Sequence, residues 1–313
     1  MKTLLIIGGT GFFGKSFEDY YQRFSFENWG IGKLIITSRS KKKNKSNVEF
    51  VQFSSETSRY IPKADYIIYA ASSSDSNIYI NKSKEEYDSQ KKSIENMHNI
   101  LKNKIFNETK ILYTSSGAIY GQHNLNNYNT EEFTTICNPS DNEFPKNIYA
   151  NIKNEWEQFL LSNFREQTVI ARCFAFVGNH LPLNTHFAIG NFINDTIKKK
   201  QIKIKSNYKI KRSYMHSDDL VEWLLKMVVS DFDTEKYGHI FNVGSAEEVE
   251  IHDLSNIFYE LIGKPKLSYD LETGNFNNYV PNIDLTKKAF GLDIKVDLKK
   301  AIVKSLSYHE KYS

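Results

Sequence analysis

A serine, a tyrosine and a lysine have the types and spacing that proton transfer requires. Ser116 follows a predicted strand, and Tyr149 and Lys153 stand four residues apart in a predicted helix, so the two share one helix face. A tyrosine hydroxyl, with an unperturbed pKa of about 10, is a poor base at neutral pH, but a neighbouring lysine cation favours the phenolate and lowers that pKa. We predict that Tyr149 exchanges a proton with a substrate while Ser116 hydrogen-bonds the reacting oxygen.

A glycine-rich turn near the start of the chain predicts a second site. Leu4–Ile7 is a short apolar run, typical of a strand that is buried on both faces of a parallel sheet. Gly8, Gly11 and Gly14 follow it at G-x-x-G-x-x-G spacing. Such glycines permit a tight turn, close approach of a pyrophosphate and packing of the next helix, whose N-terminus holds the anion. The turn therefore predicts a dinucleotide site.

The elements that must position these residues alternate between strand-like and helix-like stretches. This alternation predicts βαβ units and an α/β fold with a parallel sheet. The pattern becomes less regular after about residue 175. We expect residues 1–175 to form the dinucleotide-binding domain and residues 176–313 to form mainly a smaller substrate lobe, with some segments returning to the first domain. Predicted strands are Leu34–Ile36, Tyr66–Tyr69, Ile111–Tyr113 and Thr168–Ala171, and helices lie around Ser93–Leu101 and Asn151–Leu161.

Composition excludes several classes of function. The net charge of +4 over 313 residues gives no reason to propose a nucleic acid or a membrane as partner. Cys137 and Cys173 form no C-x-x-C motif, which argues against a disulfide framework and a zinc site. Asp218 and Asp219 precede an apolar helix, so we interpret them as a helix cap rather than metal ligands. No run of about twenty apolar residues occurs, and we expect a cytoplasmic protein.

Motifs along most of the chain closely resemble those of the extended short-chain dehydrogenase/reductase family, which comprises nucleotide-sugar epimerases, dehydratases and reductases. The segments that carry the resemblance are, in order, GGTGFFG, ADYIIYAAS, SSGAIYG, YANIK, RCFAFVG, RSYMHSDDL and FNVGS. The resemblance implies a Rossmann-like doubly wound parallel sheet with a smaller irregular C-terminal lobe, a bound NAD or NADP, a nucleoside-diphospho-sugar substrate and a homo-oligomer, dimeric or higher. It implies hydride transfer at a sugar carbon, usually C4.

The resemblance also implies roles for individual residues. The catalytic set is Ser116, Tyr149 and Lys153. Arg212 matches the family arginine that holds the substrate diphosphate, a role that bidentate guanidinium–phosphate pairing supports. Further substrate contacts are expected from Ser116, His186 and Asn191. Cofactor contacts are expected from Gly8, Thr10, Gly11, Phe12, Phe13, Gly14, Ser38, Arg39, Ala70, Ala71, Tyr149 and Lys153.

One departure from the family pattern narrows the reaction. Family dehydratases carry an aspartate and a glutamate where this chain has Gly117 and Ala118. Neither residue can exchange a proton, so 4,6-dehydration is disfavoured. We predict a 4-dehydrogenase or 4-ketoreductase; a C4-epimerase is the alternative, and a non-catalytic dinucleotide-binding protein is the third hypothesis.

Other departures concern the cofactor and the cleft. NAD-preferring members end the second strand with an acidic residue, but this chain has Ser38 and Arg39. Arg39 pairs with a 2′-phosphate of NADP, stacks beside adenine, or belongs to the basic loop that follows. The family asparagine of R-x-x-N is Ala175, and the histidine of D-x-V-I-H is Tyr69. His186 is either an acid or base, or a polar lining residue.

Overall fold

The computed structural model describes residues 1–45, 47–73, 76–121, 144–183, 185, 187–204, 206–265 and 272–312. The strands are β1 Lys2–Ile7, β2 Ile31–Ser38, β3 Val48–Gln52, β4 Tyr66–Tyr69, β5 Lys110–Ser116, β6 Thr168–Cys173, β7 Phe176–Val177, β8 Tyr208–Arg212, β9 Met215–His216, β10 Ile240–Val243, β11 Val249–Glu250 and β12 Glu272–Tyr279. The helices are α1 Phe12–Phe24, α2 Ser76–Asn81, α3 Ser83–Leu101, α4 Phe144–Asn163, α5 Ala188–Ile197, α6 Ser217–Val229, α7 Thr234–Tyr237, α8 Ile251–Leu261, α9 Asp284–Phe290 and α10 Leu298–Tyr312.

Seven strands form one sheet in the order β10-β6-β5-β4-β1-β2-β3. Every neighbouring pair in this sheet is parallel. Strand order reverses between β1 and β4, which makes this the switch point of a doubly wound sheet. The predicted Rossmann-like α/β fold is therefore confirmed. Ligands bind such sheets in the crevice beyond the carboxyl ends of the strands, and β1 and β4 end there with Ile7 paired to Tyr69.

Both faces of the sheet are covered, as the apolar run in β1 predicts. Leu4 and Ile6 pack with Trp223 on one face, and Leu5 and Ile7 pack with Trp156 on the other. This two-residue alternation follows from the pleat of a strand. Trp156 and Trp223 are each 1% exposed, so both are core residues. The helices α4 and α6, which carry these tryptophans, are thus anchored to the two faces of the sheet. This anchoring fixes the residues at the carboxyl ends of the strands.

A smaller lobe lies beyond the sheet. It contains a three-stranded sheet of order β11-β8-β12 and a two-stranded pair, β7-β9. A separate apolar cluster joins α5, α8 and α10 to these strands through residues such as Phe192, Phe258 and Ile302. The division at residue 175 stays a prediction, and β10, which lies well beyond it, pairs with β6 of the large sheet.

Two strands of the large sheet are missing from the sequence prediction. Val48–Gln52 forms the edge strand β3 directly after the basic loop, and Ile240–Val243 forms the opposite edge, β10. Both are short, and neither shows the continuous apolar run of a central strand: β3 is only partly buried, and the buried Asn242 interrupts the apolar residues of β10. The predicted helix around Asn151–Leu161 is longer, beginning at Phe144.

The interpretation of the paired aspartates at the start of α6 as a helix cap is wrong. The cap is His216, whose Nδ1 accepts from the Asp218 backbone N–H at 3.1 Å. Asp218 contacts Arg23 and Lys304 instead, and Asp219 accepts from backbone N–H groups near Lys295. Among the described residues, no three acidic, histidine or cysteine side chains converge as a metal site would require. Within the same residues, no helix has both the length and the apolar composition of a membrane span.

Candidate functional site

The glycine turn leaves β1 at the switch point and is shaped by close packing. Gly8 has φ +97°, and a Cβ there would lie 2.5 Å from the Ala70 carbonyl. A Cβ at Gly14 would lie 2.1 Å from the Gly9 Cα atom. Gly8 thus lets the chain turn under β4, and Gly14 lets α1 press against the turn.

Gly11 differs from these two glycines. A Cβ added at Gly11 would meet nothing nearer than the Gly8 carbonyl oxygen at 3.7 Å. The protein itself therefore does not require a glycine at this position, whereas a ligand group that approaches the backbone does. Gly11 also precedes α1 and carries no side-chain cap, so the first N–H groups of the helix point toward this space without partners inside the helix.

A cavity of about 810 Å³ joins the glycine turn to the smaller lobe. Of the predicted cofactor residues, Gly8, Gly11, Phe12, Phe13, Ala70, Tyr149 and Lys153 line it. Gly14 is buried in the packing of α1, Thr10 is exposed and Ala71 is half-buried; these three adjoin the cavity rather than line it. Phe12 and Phe13 pack edge to face at 5.9 Å and give the cavity an aromatic floor beside the turn.

The predicted proton-transfer residues meet in this cavity. Ser116 ends β5, and its Oγ accepts from the Ala118 backbone N–H at 3.1 Å; its side chain is near enough to Tyr149 to lower the pKa of the tyrosine. Lys153 lies one turn along α4, and its Nζ donates to the Thr114 carbonyl at 2.7 Å and to Ser72 Oγ at 3.1 Å. The strand end and the helix thus hold the three side chains in one place.

Burial sets the proton affinities of this group. Burial raises the pKa of Tyr149 to about 12, and the neighbouring Ser116 side chain opposes this by lowering the pKa. Burial lowers the pKa of Lys153 to about 8, opposed by Cys173 and Glu157. The predicted direction for Tyr149 is therefore wrong for this structure: desolvation outweighs the favourable groups around it. The Lys153 ammonium lies 5.6 Å from the centre of the Tyr149 ring and is held by Thr114 and Ser72.

The residues expected to select between NAD and NADP lie outside the cavity lining. Ser38 is buried at the end of β2, with its Oγ 3.5 Å from Ser40 Oγ. Arg39 is exposed, and its backbone carbonyl accepts from Gln52 Nε2 at 3.1 Å. Its guanidinium makes no hydrogen bond or ion pair within the described residues and projects beside the end of β2.

We expect Arg39→Ala to weaken NADP binding and leave NAD binding nearly unchanged. Loss of a charge-assisted contact to a 2′-phosphate costs about 1.5–3 kcal/mol, roughly 10- to 150-fold in affinity. Fluorescence titration of wild type and variant with both dinucleotides measures this, with Lys41→Ala as a control that removes a neighbouring positive charge. Equal losses for both dinucleotides would place Arg39 beside adenine, and no loss for either would remove it from the site.

The predicted substrate residues fall into two groups. Asn191 and Arg212 line the cavity on the side of the smaller lobe. Asn191 Nδ2 donates to the Thr185 carbonyl at 2.9 Å. Arg212 donates to Asn277 Oδ1 at 2.7 Å. His186 lies outside the described residues, as does Cys137.

Several lining residues escaped sequence reasoning. Ser72 is the last residue of the matched segment ADYIIYAAS, but only the structure shows that it accepts a hydrogen bond from Lys153. Tyr79 on α2 packs edge to face against Tyr149 at 5.0 Å and donates to the Ser73 carbonyl. Phe174 and Tyr279 line the cavity near Ala175. No sequence spacing identifies these residues as part of the cavity lining.

The two departures in the cleft have different consequences. Ala175 lines the cavity, so the position of the family asparagine is apolar here. Tyr69 is buried in the core, with its ring 4.4 Å from that of Trp156. Tyr69 is absent from the cavity lining, so this departure changes the core of the large sheet rather than the wall of the cavity.

Comparison with known proteins is consistent with this geometry. The model of the NAD dependent epimerase/dehydratase family matches residues 4–244. The chain is 24% identical over 323 residues to ADP-L-glycero-D-manno-heptose-6-epimerase of Brachyspira hyodysenteriae, covering 93% of this chain and 92% of the relative. It is 24% identical over 206 residues to UDP-glucuronic acid decarboxylase 1 of Arabidopsis thaliana, covering 63% of this chain but only 45% of that protein's length.

Solved structures share the fold along the whole chain. A UDP-N-acetylglucosamine 4-epimerase from Methanobrevibacter ruminantium M1, in complex with UDP-N-acetylmuramic acid, has a TM-score of 0.81 and 17% identity, with 100% of this chain and 99% of that chain covered. A dTDP-glucose 4,6-dehydratase from Bacillus anthracis, in complex with NAD, has a TM-score of 0.74 and 16% identity, with 99% and 97% covered. From the family match over residues 4–244, the chain belongs to the NAD dependent epimerase/dehydratase family.

Proposed function

We propose that the chain is an NAD(P)-dependent oxidoreductase that acts at C4 of a nucleoside-diphospho-sugar, as a 4-dehydrogenase or a 4-ketoreductase. The observation that carries the proposal is that Ser116, Tyr149 and Lys153 line the same cavity as Gly8 and Gly11 of the glycine turn. A proton relay and a dinucleotide cradle thus share one chamber, which is the arrangement that hydride transfer at a carbinol carbon needs.

The residues present fit a nicotinamide dinucleotide, the cofactor of the family to which the chain belongs. The open space above Gly11 and the N-terminus of α1 suit the pyrophosphate, and Phe12 and Phe13 flank it. Lys153 and Ser72 lie where the chamber turns toward the smaller lobe, and Lys153 is a donor for ribose hydroxyls. When bound, the nicotinamide supplies the acceptor or donor of the hydride at C4.

Tyr149 moves the proton that accompanies this hydride. In oxidation its phenolate accepts the proton of the C4 hydroxyl, and in reduction its hydroxyl donates a proton to the C4 oxygen. Ser116 donates to the same oxygen as charge develops on it. The raised pKa of Tyr149 favours its protonated form, which is the form that donates in reduction.

Loss of water from the sugar finds no support in the neighbouring residues. Gly117 and Ala118 open the 3₁₀ turn Gly117–Tyr120 directly after Ser116. The side chains of these two residues offer no group that exchanges protons with carbons next to C4. The proposed reaction therefore ends at oxidation or reduction.

A C4-epimerase is the second candidate. It is favoured by the two full-length relatives named as epimerases and by the apolar walls of the cavity, which hold a keto-sugar by few directional contacts and so permit it to turn over. An epimerase retains its dinucleotide through both half-reactions, whereas a dehydrogenase or reductase exchanges it. Mass spectrometry of dinucleotide released from the denatured, purified protein therefore separates the two candidates.

The proposed function is tested with a panel of UDP-, dTDP-, GDP- and CDP-hexoses and their 4-keto derivatives. Absorbance at the reduced-nicotinamide band reports net redox, and chromatography reports a changed epimer. We expect stoichiometric change in reduced dinucleotide with at least one substrate. Turnover that yields only an epimer would replace the first candidate by the second, and a panel without any turnover would refute both.

Lys153→Met is expected to weaken dinucleotide binding and turnover, with a deficit that depends on pH. Because burial lowers the pKa of Lys153 to about 8, its charge is present below that pH and is lost above it. The positive charge favours the Tyr149 phenolate, so the variant's deficit in the oxidative direction should be largest below pH 8 and should narrow above it. Rates of wild type, Lys153→Met and the charge-retaining Lys153→Arg, followed from pH 6 to 10, measure this; a deficit constant with pH would contradict it.

A further inference from the structure

Two aromatic side chains connect the proton-transfer residues to Arg212. Gly117 follows Ser116, and a Cβ added at Gly117 would lie 2.7 Å from the Phe174 ring, so that ring covers the Gly117 backbone. The Phe174 ring lies 4.7 Å from the Tyr279 ring, and the Arg212 guanidinium lies 5.9 Å from Tyr279. Phe174 and Tyr279, here called the aromatic wall, thus lie between the residues proposed to hold the reacting carbon and the arginine proposed to hold the diphosphate. The sugar ring of a bound nucleotide sugar would lie between the same two points.

The aromatic wall rests on a rigid, buried support. The Tyr120 ring stacks on Phe174 at 6.3 Å, and its hydroxyl donates to Asn242 Oδ1 at 2.9 Å. The Arg172 guanidinium lies 4.9 Å from the Tyr120 ring and is held by Glu157 through hydrogen bonds of 3.0 and 2.7 Å. This support favours a fixed position for the Phe174 ring before a ligand binds, and a preorganised wall favours selection by shape.

Arg212 meets the aromatic wall at its Tyr279 end, where the guanidinium lies 5.9 Å from the ring. Among the described lining residues, the cations are Lys153, Lys203 and Arg212. Lys153 donates to Thr114 and Ser72 on the dinucleotide side, and Arg212 stands beyond Tyr279. An ionised carboxylate near C4 would therefore be desolvated against aromatic carbon, which is costly without a partner charge. The C–H groups of a neutral sugar face, by contrast, pack favourably on aromatic rings.

We propose that the aromatic wall carries the sugar ring and makes the site selective for neutral hexoses over hexuronic acids. The inference rests on the proposed function for its assignment of the cavity to a nucleotide sugar. A hexuronic acid bears its carboxylate on C5, next to the C4 that Ser116 and Tyr149 hold, so the charge falls within reach of Gly117 and Phe174. The chain would then differ in substrate class from the relatives that are named for UDP-glucuronic acid.

Binding rather than turnover is the readout that tests this selectivity. Calorimetry with dinucleotide-loaded protein compares one nucleoside diphosphate, chosen as the tightest of the free diphosphates, with its hexose, 6-deoxyhexose and hexuronic acid conjugates. We expect both neutral conjugates to bind at least about tenfold more tightly than the hexuronic acid conjugate. Equal or tighter binding of the hexuronic acid conjugate, or no contribution of the sugar to binding, would overturn the proposal.

Two variants test the role of Phe174, so that the test does not fail if one of them does not fold. Phe174→Leu should reduce the preference for the neutral conjugate to less than about threefold, while affinities for the free diphosphate and the dinucleotide stay at wild-type values; Phe232→Leu, outside the cavity, is the matched control. Gly117→Ala should push the ring from its place and weaken the neutral conjugate alone, and this effect should disappear in the Gly117→Ala/Phe174→Leu double variant. Unchanged preference in folded Phe174→Leu, or an additive double variant, would overturn the proposal.

These experiments distinguish failure of the aromatic-wall proposal from failure of the proposed function. If no nucleotide sugar is turned over but the neutral conjugates bind more tightly, the aromatic wall is upheld and the C4 chemistry fails. If turnover occurs with hexuronic acid conjugates as readily as with neutral ones, the C4 chemistry stands and the aromatic wall is refuted.

Discussion

Tyr149→Phe is expected to lower turnover by about 10²–10⁴, the range for loss of a general acid or base. The substitution removes one oxygen and retains the ring that packs against Tyr79. It removes the hydroxyl that Ser116 faces, so the reacting oxygen loses its proton carrier. Dinucleotide affinity should stay within about threefold of wild type, because the ring still fills the same volume.

Steady-state rates and dinucleotide titration of the same preparations measure the two effects separately. Tyr21→Phe, on α1 and outside the cavity, is the matched control, and it should retain wild-type turnover. A loss in kcat and kcat/KM together identifies an interaction made only in the transition state. Full turnover by Tyr149→Phe on any substrate that the wild type accepts would show that another group carries the proton.

Gly11→Val is expected to lower dinucleotide affinity by at least about 100-fold, equivalent to about 2.8 kcal/mol. The fold itself leaves room at this position, since an added Cβ comes no closer than 3.7 Å to the Gly8 carbonyl oxygen. The valine side chain should therefore occupy the space above the N-terminus of α1 that we propose for the pyrophosphate, at small cost to the free energy of unfolding.

Gly14→Ala serves as the comparison, because it is expected to lower the stability of the fold. A Cβ at Gly14 would lie 2.1 Å from Gly9 Cα, so this variant should lower the unfolding temperature by several degrees. Thermal unfolding and titration with NAD and NADP, performed on both variants, distinguish a ligand position from a packing position. Wild-type affinity in folded Gly11→Val would mean that the dinucleotide does not approach the glycine turn.

The fold and the positions of the main site residues can be predicted from the sequence, because they depend on strong local patterns. The apolar run before Gly8 identifies a doubly buried strand, and the spacing of Gly8, Gly11 and Gly14 identifies the turn at its end. Tyr149 and Lys153 are four apart, which fixes them on one face of α4. Since parallel strands end at one edge of a sheet, Ser116 at the end of β5 comes to the same chamber.

Other features depend on contacts that no local pattern reveals. The pKa of Tyr149 follows from its burial, and sequence spacing carries no measure of desolvation. The contact of Phe174 with Gly117 joins β6 to the turn after β5, and Tyr279 arrives from β12, far along the chain. The aromatic wall is therefore a product of tertiary packing.

The most direct test of the central claim follows the hydrogen on C4. A nucleotide sugar that the protein turns over is labelled with deuterium at C4 and incubated with oxidised dinucleotide, and the dinucleotide and sugar are then examined by mass spectrometry. Hydride transfer at C4 with net oxidation places the deuterium in the released, reduced dinucleotide, and the reverse reaction returns it from deuterated dinucleotide to C4 of a 4-keto-sugar. Consumption of the sugar with all the deuterium still on C4, and none transferred in the reverse experiment, would contradict the account.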